Sequence, residues 1–153
     1  MSGDPGRLVR RIPKAARGLK AQHRAWAATI YRAGAAEGRI GRRSPALDAV
    51  LRDWGLWRGS FLTAWNPWGR PAGPARNARL QARLEGETRN LPRLAGDCGA
   101  EGWSERTLFL GAHPARVAAL ARKYRQAAVV HVLRGRPLRL ATWPGFHLAR
   151  RGR

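Results

Sequence analysis

Five polar side chains in this sequence, Thr63, Asn66, Asn77, Glu105 and Gln126, sit beside short motifs where they could handle a substrate. An amide both donates and accepts hydrogen bonds, so Asn66 or Asn77 could orient a polar ligand or read a base edge. Glu105 is an acid within a recognisable motif and could serve as a general base. If the five converge on one pocket, the chain reads as an enzyme or a small-ligand-binding domain. Structure offers a competing explanation for each. Asn before Pro commonly bonds its own turn, Asn77 suits a helix cap, and one acid among so many cations is expected to pair with Arg76, Arg79 or Arg106.

A second set is basic and aromatic. Trp65, Trp68 and Trp103 are interleaved with Arg70, Arg76, Arg79 and Arg83. Single-stranded nucleic acid is bound in this way, bases stacking on indoles at about 1–3 kcal/mol each while guanidinium groups take phosphates. The net charge of +21, from 30 Lys plus Arg against 9 Asp plus Glu, favours an anionic partner. The charge is open to another reading. Lys occurs only at positions 14, 20 and 123, and a chain rich in Arg, Ala, Gly and Pro also fits the codons of a GC-rich genome. Alternation along a strand is expected to bury at least one of the three indoles.

The inventory for catalysis is thin. His23, His113, His131 and His147 are scattered, and there is no Ser-His-Asp, paired-carboxylate, phosphate-loop or dinucleotide pattern. Cys98 is the only cysteine, which excludes an internal disulfide, and no Cys/His set has zinc-site spacing. We therefore expect no metal and no cofactor, an idle thiol at Cys98 and a packed His131. No apolar run reaches the length of a membrane span, and the chain reads as soluble and cytoplasmic. The leading expectation is a noncatalytic binding module for nucleic acid or another polyanion. The polar-pocket enzyme or ligand domain is one alternative, and a protein–protein interaction domain with an exposed final hairpin strand is another.

The elements that must position these groups follow from periodicity and turn chemistry. Ser44-Pro45 starts a helix with Leu47, Val50, Leu51 and Trp54 on one face, and Gly55 ends it. Ser60 to Trp65 is a strand, closed by the Asn66-Pro67 turn and a loop to Pro74. A polar helix runs from Ala75 to about Asn90. Leu91 to Leu94 reads as a short strand, Ala95 to Glu101 as a Gly-containing loop, and Thr107 to Leu110 as a buried strand. Pro114 starts a helix with Val117, Leu120, Ala121 and Tyr124 at i, i+3, i+4 and i+7. Ala127 to Leu133 and Leu138 to Trp143 form a hairpin.

Residues 1–43 hold 11 basic and 2 acidic residues. Within them, Leu8, Ile12, Ala15 and Leu19 share a helical face, and Gln22 to Tyr31 reads as a short helix broken by Gly34, Gly38 and Gly41. The segment is expected to be a basic extension, flexible or partly helical, a character shared by nucleic-acid arms, membrane-surface arms and targeting peptides. The fold expected is α+β, with a small mixed or antiparallel sheet of four to five strands and two to three packed helices over residues 44–143. A basic tail follows at 144–153.

Four stretches in order carry a family resemblance: Thr63-Ala64-Trp65-Asn66-Pro67, Asn77 through Leu84, Trp103-Ser104-Glu105-Arg106-Thr107, and Ala118 to Val130. Together they resemble the bacterial domain-of-unknown-function family 3293, over residues 60 to about 141. That family shows a Thr-Ala-aromatic-Asn-Pro strand end, an Asn-initiated polar helix, a Trp-x-Glu-x-Ser/Thr segment before a strand, and an Ala-Leu-Ala-rich helix ending in Gln. Where its last helix commonly ends in Phe-Gly-Gln-Asn-Ala, this chain has Tyr124-Arg125-Gln126-Ala127-Ala128. The resemblance implies a fold and a set of candidate residues, and no activity.

Overall fold

The computed structural model describes residues 24–142. Ser44 opens helix α1 (Pro45–Asp53) as its N-cap, its Oγ accepting from Leu47 N at 3.2 Å while donating to Glu37 O at 2.6 Å. Proline likewise occupies the first turn of α2 (Pro74–Glu87) and α3 (Pro114–Lys123), where its missing N–H costs no helical bond. Among the described residues there are seven strands: β1 (Ile30–Ala33), β2 (Ala36–Gly38), β3 (Arg58–Leu62), β4 (Arg93–Ala100), β5 (Trp103–Leu110), β6 (Ala128–Leu133) and β7 (Arg139–Thr142).

All seven strands belong to one sheet, in the order β2-β1-β4-β5-β3-β6-β7, and every pairing is antiparallel. The sheet curls into a half-barrel. Its two ends meet where Ile40 bridges Leu138, with Gly41 N donating to Leu138 O at 2.8 Å and Leu138 N to Arg42 O at 3.0 Å. Alternation along the strands divides the apolar side chains between two cores. Phe61 and Phe109, with ring centroids 4.8 Å apart, join Tyr31, Cys98, Val130, Val132 and the α1 residues Leu47 and Leu51 on one face. Leu62, Leu108, Leu110 and Val129 face the other way, against Leu84 of α2 and Val117, Leu120 and Ala121 of α3. At their ends the two outer helices are joined by Lys123 Nζ to Glu87 Oε1 at 2.8 Å and by the Tyr124 hydroxyl on the same carboxylate.

The α+β class holds, but the sheet has seven strands rather than four to five. The two added strands are β1 and β2, and β4 is longer than expected; glycine is the physical reason at both places. The stretch Ala95 to Glu101, expected as a loop, forms most of β4, because its glycines mark close backbone approaches and not a turn. A Cβ at Gly96 would lie 1.8 Å from Arg32 O, and one at Gly99 would lie 2.4 Å from Trp103 O. Strands β1 and β2 come from residues assigned to the basic extension. Only residues 24–27 of the helix expected over Gln22 to Tyr31 are helical among the described residues, and Gly34, at φ 56°, turns the β1–β2 hairpin. The strand expected over Ser60 to Trp65 ends at Leu62, and Pro67–Gly69 form a 3-10 turn. The readings of residues 1–23 and 143–153 lie outside the described residues.

Two glycine substitutions test this reading. Gly96→Ala drives a methyl group into the β1 backbone and should destabilise the protein by at least about 3 kcal/mol, or abolish a cooperative transition. Gly86→Ala, in α2 with nothing within 4 Å of the added carbon, should stabilise it by up to about 1 kcal/mol. Urea unfolding of both variants reads the contrast, and similar midpoints for the two would refute the close approach.

Candidate functional site

Beyond Leu62 the chain leaves the ladder, although β5 and β6 continue on either side. The backbone groups of residues 64–66 therefore lack strand partners, and a buried N–H or C=O left unpaired costs about 1–3 kcal/mol. Side chains from three other places complete them. Ala64 N donates to Gln81 Oε1 at 3.0 Å, and Asn66 N to Asn77 Oδ1 at 2.9 Å. Trp65 O accepts from Gln126 Nε2 at 2.9 Å. Trp65 N donates to Thr63 Oγ1 at 3.1 Å, and that hydroxyl donates on to Arg106 O at 2.6 Å.

Asn66 is the hub of the arrangement. Its Oδ1 accepts from Asn77 Nδ2 at 2.9 Å and from Ala72 N at 3.1 Å, while its Nδ2 donates to Glu105 Oε1 at 2.8 Å. It thus bridges a turn, a helix and a strand, reaching well beyond its own turn. Glu105 bonds this amide rather than an arginine, contrary to expectation. Asn77 lies in the first turns of α2 and does not cap it, the N-cap position being Gly73. Opposite Glu105 in the sheet stands Cys98, and opposite Cys98 stands Tyr31. Burial raises the pKa of all three, and the Asn66 hydrogen bond works against it at Glu105. Cys98 is accordingly a protonated thiol on a strand and not a loop residue.

The backbone at this place is strained. Among the described residues, the non-glycine residues with positive φ are Asn66 (51°), Trp68 (62°) and Arg125 (57°). Such a conformation costs roughly 1–2 kcal/mol for an ordinary residue. The three are neighbours: Trp68 N donates to Arg125 O at 2.9 Å, and the Arg125 guanidinium lies 5.4 Å from the Trp68 ring centroid. Arg125 occupies the position where the family pattern has glycine, which adopts positive φ without penalty. Strain of this kind gathers where a structure is held for a purpose.

All five polar residues singled out from sequence thus converge on one turn, where their hydrogen bonds go mainly to backbone and to one another. The aromatic set divides. Trp103 packs against the Phe61–Phe109 core, Trp68 is half-buried beside Arg125, and Trp65 is half-buried with its indole Nε1 buried and unpartnered. Arg70, Arg76, Arg79 and Arg83 are exposed. Gln81 was missed by sequence reasoning. Its signal was the spacing from Asn77, four residues on an otherwise arginine-rich helix, which places two amides on one buried face. Its Nε2 is a second buried donor without a partner. Among the described residues no group of three or more His, Cys, Asp or Glu could hold a metal ion, and no helix is long and apolar enough to cross a membrane.

The network makes two predictions. Asn66→Gly keeps the backbone conformation and loses three side-chain hydrogen bonds, whereas Asn66→Ala also strains the backbone. Both should destabilise by roughly 2–4 kcal/mol, with Ala the worse by about 1 kcal/mol, in chemical denaturation. Equal losses would mean that the positive φ carries no cost. For Glu105, the folded state binds the proton more tightly than the unfolded chain. The stability linked to it is full below the ordinary glutamate pKa and is lost as pH rises through the folded value. Glu105→Gln keeps an acceptor for Asn66 without the charge. Its thermal midpoint relative to wild type should therefore improve from about pH 4 to about pH 7, and a constant difference would contradict the assignment.

No curated protein and no solved structure matches the chain. Thr63, Asn66, Asn77, Gln81, Glu105 and Gln126, which build the turn, all lie within residues 62–129. Those residues match the model of the family described as "Protein of unknown function (DUF3293)", the family that the four motifs resemble.

Proposed function

We propose that the protein is a noncatalytic binding module for single-stranded nucleic acid, engaging it through the arginine face of α2 and the loop that carries Trp68 and Arg70. One observation carries the reading. Arg76, Arg79 and Arg83 recur at i, i+3 and i+7, a single stripe of α2 about 10 Å long, turned away from the buried stripe of Asn77, Gln81 and Leu84. The amides that cap the β3 turn hold the helix in this rotation, so the cations cannot turn inward. Among the described residues neither Arg76 nor Arg79 makes a salt bridge, and Glu87 at the end of α2 is occupied by Lys123 and Tyr124. The chain's net charge of +21 adds a field that draws any polyanion toward this face. The small-ligand pocket has less support, because Thr63, Asn66, Asn77 and Gln126 are engaged with backbone groups.

Titration with single-stranded RNA and DNA across a salt series tests the proposal. Binding should be strong at low salt and fall with ionic strength. Replacing all three arginines together (Arg76→Gln, Arg79→Gln, Arg83→Gln) should reduce the slope of log K against log salt by about 2, at roughly 0.7 per lost phosphate contact. The exposed positions predict no change in thermal midpoint. Absence of binding at low salt, or an unchanged slope in the triple variant, defeats the proposal.

A further inference from the structure

A second feature lies almost wholly outside the matched segment. On the sheet face that carries α3, a cleft of about 640 Å³ is lined by Arg58, Ser60, His131, Arg136 and Arg139, with Pro114 of α3 at its edge. Pairing puts Ser60, His131 and Arg139 side by side across β3, β6 and β7, so their side chains project to the same face. Ser60 Oγ is 2.7 Å from His131 Nδ1. Ser60 is 1% exposed, a polar residue buried where a strand flanked by Phe61 and Leu62 would ordinarily bury an apolar one.

Burial, reinforced by Arg139 and Arg58, lowers the pKa of His131 and keeps the ring neutral. In the tautomer in which Nδ1 accepts from the Ser60 hydroxyl, the neutral imidazole carries its proton on Nε2. No carboxylate stands behind the histidine, and none lines the cleft among the described residues. The pair is therefore built to orient a donor, and it lacks the acid that a Ser-His-Asp nucleophile requires. The lining thus combines three arginines and one histidine with the apolar side chains of Val132, Leu133 and Pro137. Guanidinium forks match the oxygens of a phosphoryl group, and the volume exceeds a bare phosphate and falls in the range of small-molecule sites.

We propose that this cleft binds a small phosphate monoester, with Arg58, Arg136 and Arg139 holding the phosphoryl oxygens and His131 Nε2–H, fixed by Ser60, donating a further hydrogen bond. The cleft shares no residue with the arginine stripe of α2, so the two proposals stand or fall separately.

The probe is phenyl phosphate, titrated into the full chain while the histidine ring nitrogens are followed by NMR. A saturable shift confined to His131, weakened about tenfold or more in Arg58→Gln/Arg139→Gln, is the expected result. Arg52→Gln, which removes a charge from α1, should leave the shift intact. No shift, a shift shared evenly by all four histidines, or full retention in the double variant overturns the assignment. In the triple variant that lacks the α2 arginines, a 5′-phosphorylated oligonucleotide that moves His131 at lower concentration than phenyl phosphate also overturns it, assigning the cleft to nucleic-acid ends.

Discussion

The structure depends on what happens to the interior strand β3 after Leu62. β3 is hydrogen-bonded on both sides, to β5 and to β6, until it turns out of the sheet, its pairing with β6 ending at Phe61 and with β5 at Leu62. Water cannot supply every missing bond at a buried strand end, so side chains must. Gln81, Asn77, Gln126 and Thr63 are those side chains, and Asn66 ties them to Glu105. Residues that look like the components of a reaction site are thus, first, the completion of a hydrogen-bond ladder. The turn also fixes the rotation of α2 about its axis, and through that the direction in which its arginines point. Fold and surface charge are therefore coupled at one place.

Much of the architecture can be read where local chemistry and tertiary demand agree. Ser44-Pro45, Pro114 with its apolar stripe, and the Val-rich β6 hairpin are each recognisable from a few residues, because capping and periodicity act over short range. Gly96 and Gly99 mislead for the opposite reason. In sequence they resemble a loop, and only the passage of Arg32 and Trp103 against them shows why a strand needs residues without side chains there. The same limit applies to the site. Thr63, Asn66, Asn77, Glu105 and Gln126 stand out singly, yet nothing near Glu105 in sequence indicates an amide as its partner. Ser60 and His131, distant in the chain and paired across two strands, leave no local trace.

Arg125 shows how a departure from the family pattern is absorbed. The left-handed backbone that glycine adopts freely is retained here by a residue that resists it. Two contacts offset the strain: Arg125 O accepts from Trp68 N, and the guanidinium lies against the indole. Trp68 is itself in a left-handed conformation, so the two strained residues support each other across the gap between the β3 turn and the end of α3. The helix end still presents Gln126 to Trp65 O. Geometry at the turn is thus preserved while the surface gains a cation.

The strand order has a kinetic side. β1 with β2, β4 with β5, and β6 with β7 are hairpins whose partners are close in the chain, whereas β3 finds both of its partners far away. Local pairings close cheaply and early, and long-range pairings wait until the loop entropy has been overcome. The seam that β3 fills between β5 and β6 is therefore, like the β1–β4 pairing, a junction between parts of the chain that lie far apart, and the turn that follows Leu62 stands at its end. The amides of Ala64 and Asn66 are bonded by side chains of α2, so their protection from solvent depends on the seating of that helix and not on strand pairing alone.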